Sequence, residues 1–264
     1  MRKLKGLESI IPFTAVHWHM LEKGWRFVTP DENLPGENVT PDPVHPGYTH
    51  LQQIYYATDP EYKGRFTVPT LYDKKLKRIV NNESSEIIRM FYTEFDHLLP
   101  EKFQKLDLFP AGLQDKIEDM NKWVYDGVNN GVYKSGFATS EEAYQKNVTH
   151  LFSCLDRLEA HLTAPGRTSP YLFGDHVTEA DVRLYTTIVR FDPVYVQHFK
   201  CNIRDIRSGY PALHKWLRHL YWDVPAFGET TQFEHIRKHY TKSHTQINPY
   251  VSPHDDSEIL ICPG

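Results

Sequence analysis

The chain has 264 residues, 40% hydrophobic and 13% aromatic, enough for one large domain or two smaller ones with real cores. A formal net charge of −4 leaves no electrostatic footprint for nucleic acid, and no apolar run is long enough to span a membrane. Three cysteines (Cys154, Cys201, Cys262) without a CxxC spacing make no disulfide framework and point to a reducing, cytoplasmic setting; Glu8 and Pro12 break up any signal-peptide core after the basic start Met1–Lys5.

The first expected element is a strand over the apolar run Ser9–Val16. Residues 20–64, rich in Pro, Gly, Asp and Tyr, read as a long irregular segment, and loops of that length usually carry function. Phe66–Tyr72 and the run from Ile79 predict two strands, followed by a helix that opens on Glu83 and Ser84, the whole unit covering about 66–95. A proline inside Phe66–Tyr72 cannot donate to a ladder, and a Val-Pro placed before a paired strand predicts a cis bond at Pro69. Residues 98–112 read as a linker closed by Pro110-Ala-Gly112.

Beyond the linker the period becomes helical. Leu113, Ile117, Met120, Val124, Val128 and Val132 recur every three or four residues and predict one amphipathic helix. Thr139-Ser-Glu-Glu142 reads as a capping box ahead of a helix through Leu162. Thr178-Glu-Ala-Asp181 reads as another, flanked by Val177 and Val182 as a hydrophobic staple, with its helix ending near Pro193. Pro211 predicts a helix start, with Leu213, Trp216, Leu217 and Leu220 inward, and a polar tail follows from about 244. The N-terminal third is therefore expected to be α/β and the remainder all-helical.

The helix start at Glu83 and Ser84 offers backbone N–H groups and a positive dipole end to a carboxylate, and Glu83 can hold an amine. Carboxylate plus amine describes the end of an amino acid or the γ-glutamyl end of a small peptide. Capping accounts for the same two residues equally well. His17 with His19, and His235 with His239, could each be half of a metal site, but no acidic partner stands at the expected spacing and no H-E-x-x-H occurs, so no metal is expected. Cys154, between Leu151 and Leu155, reads as core packing, and Lys200 beside Cys201 could lower a thiol pKa.

Val-Pro before Glu-Ser in an α/β half, then Thr-x-x-Asp in a helical half, resembles the glutathione S-transferases. Gly24-Trp-Arg-Phe27, Asn81–Arg89, Asn130–Ala138, Arg190–Val196 and His198–Asn202 narrow this to a resemblance to the glutathionyl-hydroquinone reductases, the xi class close to the omega class. The resemblance runs from Met1 to about Asn248. It implies a thioredoxin-like glutathione-binding domain over 1–97, a linker at 98–112, an all-α domain over 113–250 and a tail at 251–264. It implies glutathione as co-substrate and a homodimer. By the same resemblance Val68 pairs its backbone with the cysteinyl part of glutathione, and Glu83 and Ser84 hold the γ-glutamyl end. Trp25 lies against the ligand, Arg65 meets the glycyl carboxylate, and Tyr133, Tyr195 and Tyr240 line the hydroquinone pocket.

The family's reaction needs a cysteine in a Cys-Pro-Trp motif at a helix N-terminus, where the dipole lowers its pKa. No Cys-Pro-Trp occurs in the sequence. Met1–Leu7 resembles the end of the helix that carries it, so the motif and the first strand are expected to lie upstream of Met1, and the sheet is expected to be incomplete. Two alternatives stand beside the enzyme: a chain that holds glutathione or a quinone without turnover, and an interaction role for the helical part.

Overall fold

A computed structural model describes residues 1–248. Its elements in chain order are α1 (Leu51–Thr58), β1 (Leu71–Asp73), β2 (Arg78–Asn81), α2 (Ser84–Thr93), α3 (Glu101–Gln104), α4 (Gln114–Val124), α5 (Gly131–Gly136) and α6 (Glu141–Leu162). They continue with α7 (Glu179–Arg190), α8 (Val196–His198), α9 (Ile206–Gly209), α10 (Pro211–Asp223), α11 (Pro225–Gly228) and α12 (Phe233–Ser243). The described chain divides into two compact units: one holds Met1–Leu106 with Glu234–Ser243, the other Asp107–Phe233 with residues 244–248.

In the first unit, residues 1–7 form consecutive turns. Leu7 N–H donates to Arg2 O and Gly6 N–H to Lys3 O, while Gly6 takes φ +65°, the left-handed turn a glycine allows. The strand expected over Ser9–Val16 does not form. Ile10 and Ile11 turn back to Leu7 O, Pro12 has no N–H, and Ala15 and His17 make single bonds to Asn38 O and Arg26 O instead of a ladder. The segment 20–64 is not irregular throughout, because α1 lies within it. Leu51, Ile54 and Tyr55 bury one face of that helix, and His50 and Gln53 form its capping box.

The expected strand over Phe66–Tyr72 shrinks to β1. Upstream of it, hydroxyls rather than a neighbouring strand take the carbonyls: Tyr62 Oη donates to Arg65 O and Tyr55 Oη to Thr67 O. Pro69 then removes a donor. β1 and β2 pair antiparallel, with a register shift between Leu71 and Tyr72. Leu7, Ile87, Phe91 and Leu99 form one buried cluster of this unit, and Phe27, Leu51, Ile54 and Tyr55 form another.

The second unit is all-helical among its described residues. The single helix expected over 113–132 is α4 and α5 joined by a π-helical turn, Tyr125–Asn129, in which Asn130 N–H reaches Tyr125 O. Gly127 in that turn presses on α6: a Cβ there would stand 2.3 Å from Cys154 Sγ. The box expected from Thr139 to Glu142 is shifted, since Ser140 is the cap residue and accepts from Ala143 N–H. The Thr178–Asp181 box forms as expected, and Val177 and Val182 are both buried. Pro193 does not end its helix. A second π turn, Phe191–Tyr195, absorbs the missing N–H, and the chain stays helical through α8. Ile117, Leu151, Leu155, Leu184, Leu213 and Leu220 are fully buried, at about 1.5–3 kcal/mol each for the apolar area removed from water.

Candidate active site

The peptide bond Val68–Pro69 is cis, and it lies beside the start of α2. Asn82 Nδ2 donates to Thr67 Oγ1 at 3.1 Å, and Tyr55 Oη to Thr67 O at 2.8 Å, so the loop before Val68 is tied both to the α2 start and to α1. Val68 is 41% exposed. Glu83 is the N-cap of α2: its Oε1 accepts from Ser85 N–H at 3.4 Å and from Ser85 Oγ at 3.2 Å, and its own N–H donates to Asn81 Oδ1 at 2.6 Å. Ser84 is the first helical residue, and Glu83, Ser84 and Arg65 are all exposed. Val68, Glu83 and Ser84, all exposed, are thus brought to one rim at the N-terminus of α2 by the Thr67–Asn82 bond. The Thr67–Asn82 bond that builds this rim had no signal in the spacing.

Trp25 is half-buried against the cluster of Phe27, Leu51, Ile54 and Tyr55. Its carbonyl accepts from Leu51 N–H at 2.9 Å, which joins it to the start of α1. Its indole lies against the imidazole of His239 on α12, with ring centroids 4.8 Å apart. α12 is pinned to the same stretch of chain. His239 Nδ1 donates to Trp18 O at 3.0 Å, Ser243 Oγ donates to Trp18 O at 3.1 Å, and Ser243 Oγ accepts from Met20 N–H at 2.9 Å. Tyr240, next on α12, is buried at 5% exposure and meets His239 edge-on. Among the described residues no cluster of three metal-ligating side chains forms; His17 Nδ1 instead accepts from His19 N–H.

Tyr133 and Tyr195 come together in the second unit, with ring centroids 6.1 Å apart. Each follows or ends a π turn: Tyr133 stands on α5 just after Tyr125–Asn129, and Tyr195 closes Phe191–Tyr195. Such bulges often re-aim a side chain at a functional site. Tyr195 is buried and stacks on Phe199 at 5.3 Å and 2°, whereas Tyr133 is 38% exposed and stacks with Phe137. Gly136 makes room for this: a Cβ there would stand 2.1 Å from the Phe199 ring. Tyr240 belongs to the first unit.

The two described thiols are free, buried and held in the protonated form. Burial pushes the Cys201 thiol up to about 12, against a smaller opposing effect of Ser135. Burial also raises Cys154, whose Sγ lies 3.9 Å from His150 Nε2. Lys200 does not offset this desolvation at Cys201. Cys262 and the tail lie outside the described residues.

A family description, the glutathione S-transferase C-terminal domain, matches residues 141–219. The chain is 54% identical over 250 residues to the glutathione S-transferase omega-like 2 of Schizosaccharomyces pombe, covering 94% of this chain and 77% of that one. It is 51% identical over 249 residues to a glutathionyl-hydroquinone reductase of Escherichia coli, covering 94% and 71%. It also superposes on the xi glutathione transferase of Saccharomyces cerevisiae, crystallised in complex with glutathione, with a TM-score of 0.92 at 44% identity, covering 100% of this chain and 88% of that one. The fold is therefore the transferase fold, a thioredoxin-like unit and an all-helical unit. At these identities and coverages the chain belongs to the xi-class, omega-like glutathione S-transferases, the enzyme family that includes the glutathionyl-hydroquinone reductases.

Proposed function

We propose that the protein binds glutathione at the rim formed by Val68, Glu83 and Ser84 and acts in the reduction of glutathionyl-hydroquinones. The carrying observation is that rim: an exposed Val68 next to a loop residue, Thr67, that Asn82 ties to the α2 start. Val68 pairs with the cysteinyl backbone, Ser84 at the positive end of α2 takes the γ-glutamyl carboxylate, and Glu83 takes its amine. Trp25 lies along the ligand and Arg65 meets the glycyl carboxylate. Tyr133, Tyr195 and Tyr240 are assigned to the hydroquinone ring, whose oxygens can exchange hydrogen bonds with phenols.

In this reaction a thiolate attacks the glutathionyl sulfur and the carbon–sulfur bond breaks. The ring carbon takes a proton to give hydroquinone. A second glutathione thiolate then opens the mixed disulfide, releasing glutathione disulfide and restoring the first thiolate. Cys154 and Cys201 do not supply that thiolate, being buried with raised pKa values. The same observation supports a second reading, in which this chain holds glutathione without turnover of its own. A cytoplasmic homodimer completes the proposal, and the free thiols fit a reducing compartment.

Calorimetric titration with glutathione tests the binding step. Saturable binding that weakens about tenfold or more in Glu83→Gln, near 1.4 kcal/mol, is the expected outcome. Absence of binding at millimolar glutathione would overturn it. Glutathionyl-hydroquinone consumption by the same sample separates turnover from binding alone.

A further inference from the structure

We propose that His239 is a positioning residue that holds the Trp25 indole in place for glutathione and makes α12 part of the glutathione-binding unit. The role in binding rests on the function proposed above; the grip on Trp25 does not.

Two of the contacts of His239 serve different ends. Its Nδ1–H donates to Trp18 O at 3.0 Å, which fixes the proton on Nδ1 and the plane of the ring. That ring then lies 4.8 Å from the Trp25 indole at an interplanar angle of 31°, a packed aromatic pair. The rest of α12 supports the same placement. Ser243 Oγ bridges Trp18 O and Met20 N–H, and the Lys238 ammonium lies 5.6 Å over the Trp18 ring. On the other side, Leu51 N–H binds the Trp25 carbonyl, and Arg26 bridges to His50 at the α1 cap. The Trp25 backbone is thereby anchored to α1 while its ring is anchored to α12. Without His239 the ring would keep its backbone anchor and lose the aromatic neighbour that α12 provides.

Nothing in the spacing of His235 and His239 points to this. Their i, i+4 repeat reads as half a metal site, yet the Nδ1 of His239 is spent on a carbonyl.

Two substitutions divide the contacts. His239→Phe keeps a ring against Trp25 and loses the bond to Trp18 O; His239→Asn keeps a donor near the Nδ1 position and loses the ring. The first measurement is the indole N–H resonance of Trp25 in ¹⁵N-tryptophan-labelled protein, assigned by its disappearance in Trp25→Phe. Both His239 variants should shift or broaden it while the resonance of Trp123, in the other unit, stays in place as a check on folding. An unmoved Trp25 resonance in both variants would overturn the proposal, whatever the chain binds. The second measurement is glutathione affinity by calorimetry. His239→Asn should weaken binding by about 2- to 10-fold, the range of an aromatic pair. In a Trp25→Phe background the same substitution should add almost nothing, because the two residues act as one unit. Equal losses in both backgrounds, or unchanged affinity in His239→Asn, would also overturn it. If the wild-type chain binds no glutathione, the functional reading fails, and the Trp25 resonance still decides the role of His239.

Discussion

The indole Nε1–H of Trp216 donates to Asp181 Oδ1 at 2.9 Å, and the two side chains are 2% and 0% exposed. The same carboxylate accepts from Leu172 N–H at 2.8 Å on Oδ1, and from Thr178 N–H and Oγ1 at 2.9 Å each on Oδ2. A helix cap has become the junction of α7, α10 and the loop before α7. Asp181→Ala would leave these donors buried without an acceptor, so we expect a loss of about 3–5 kcal/mol in unfolding free energy. Trp216→Phe removes one donor and keeps most of the ring, and should cost about 1–2 kcal/mol. Urea unfolding measures both; a loss below about 1 kcal/mol in Asp181→Ala would refute the junction.

A pH effect follows from His244. Burial, and secondarily His198 at 3.3 Å, lower its pKa from the ordinary 6.5 to about 4. Between those values the unfolded chain binds a proton that the folded chain refuses. The stability this represents is whole above about pH 6.5 and is lost as the pH falls towards about 4, up to about 3 kcal/mol. His244→Phe should flatten that part of the stability-against-pH curve relative to the wild type. Parallel curves for the two proteins would count against it.

Legibility in the sequence varied with how local the cause was. The Thr178–Asp181 cap, the inward face of Leu213, Trp216, Leu217 and Leu220, the helix opening at Glu83 and the cis bond before Pro69 were all readable, because each depends on neighbours within a turn or two. The α1 helix was readable in principle, from Leu51, Ile54 and Tyr55, but the surrounding prolines masked its short period. The π turns were not readable. One arises where Pro193 sits inside a helix that tertiary packing keeps going, the other where Gly127 lets α6 approach. The candidate residues Glu83 and Ser84 were readable from the helix start, whereas Val68 and Trp25 were reached only through family resemblance. The bonds that arrange them, Asn82 to Thr67 and His239 to Trp18, span 15 and 221 positions of the chain, beyond any local pattern.

Lys5 offers a test of the first unit. It is fully buried, and its Nζ pairs with Asp96 Oδ1 at 2.9 Å and donates to Phe103 O at 2.8 Å. A buried ammonium tied to two partners stitches the first residues to the segment around α3. Lys5→Ala leaves Asp96 without its cation and the Phe103 carbonyl without its donor, and opens space. We expect a loss of about 2–4 kcal/mol, somewhat below a fully buried pair because Asp96 is 25% exposed. Lys5→Met refills the volume and should recover part of it. If Ala and Met were equally tolerated at wild-type stability, the bridge would contribute nothing.

The thiols give the sharpest test of what this chain does by itself. In a Cys262→Ser variant, the remaining cysteines are the buried Cys154 and Cys201. At pH 8 a thiol held near 12 is thiolate roughly three orders of magnitude less often than an ordinary one near 8.5. Cys201 Sγ also lies among the carbonyls of Val132 and Phe199, at 4.0 and 3.8 Å, which favour the neutral S–H. Cys154 is kept neutral by the same desolvation. Ellman's reagent should therefore titrate almost no thiol in the folded variant over minutes and two thiols once guanidinium unfolds it. Rapid labelling of the folded protein, mapped to Cys201 by mass spectrometry, would reverse the assignment: Cys201 would then be a candidate nucleophile, and Cys201→Ala should abolish any turnover of glutathionyl-hydroquinone while leaving glutathione binding intact.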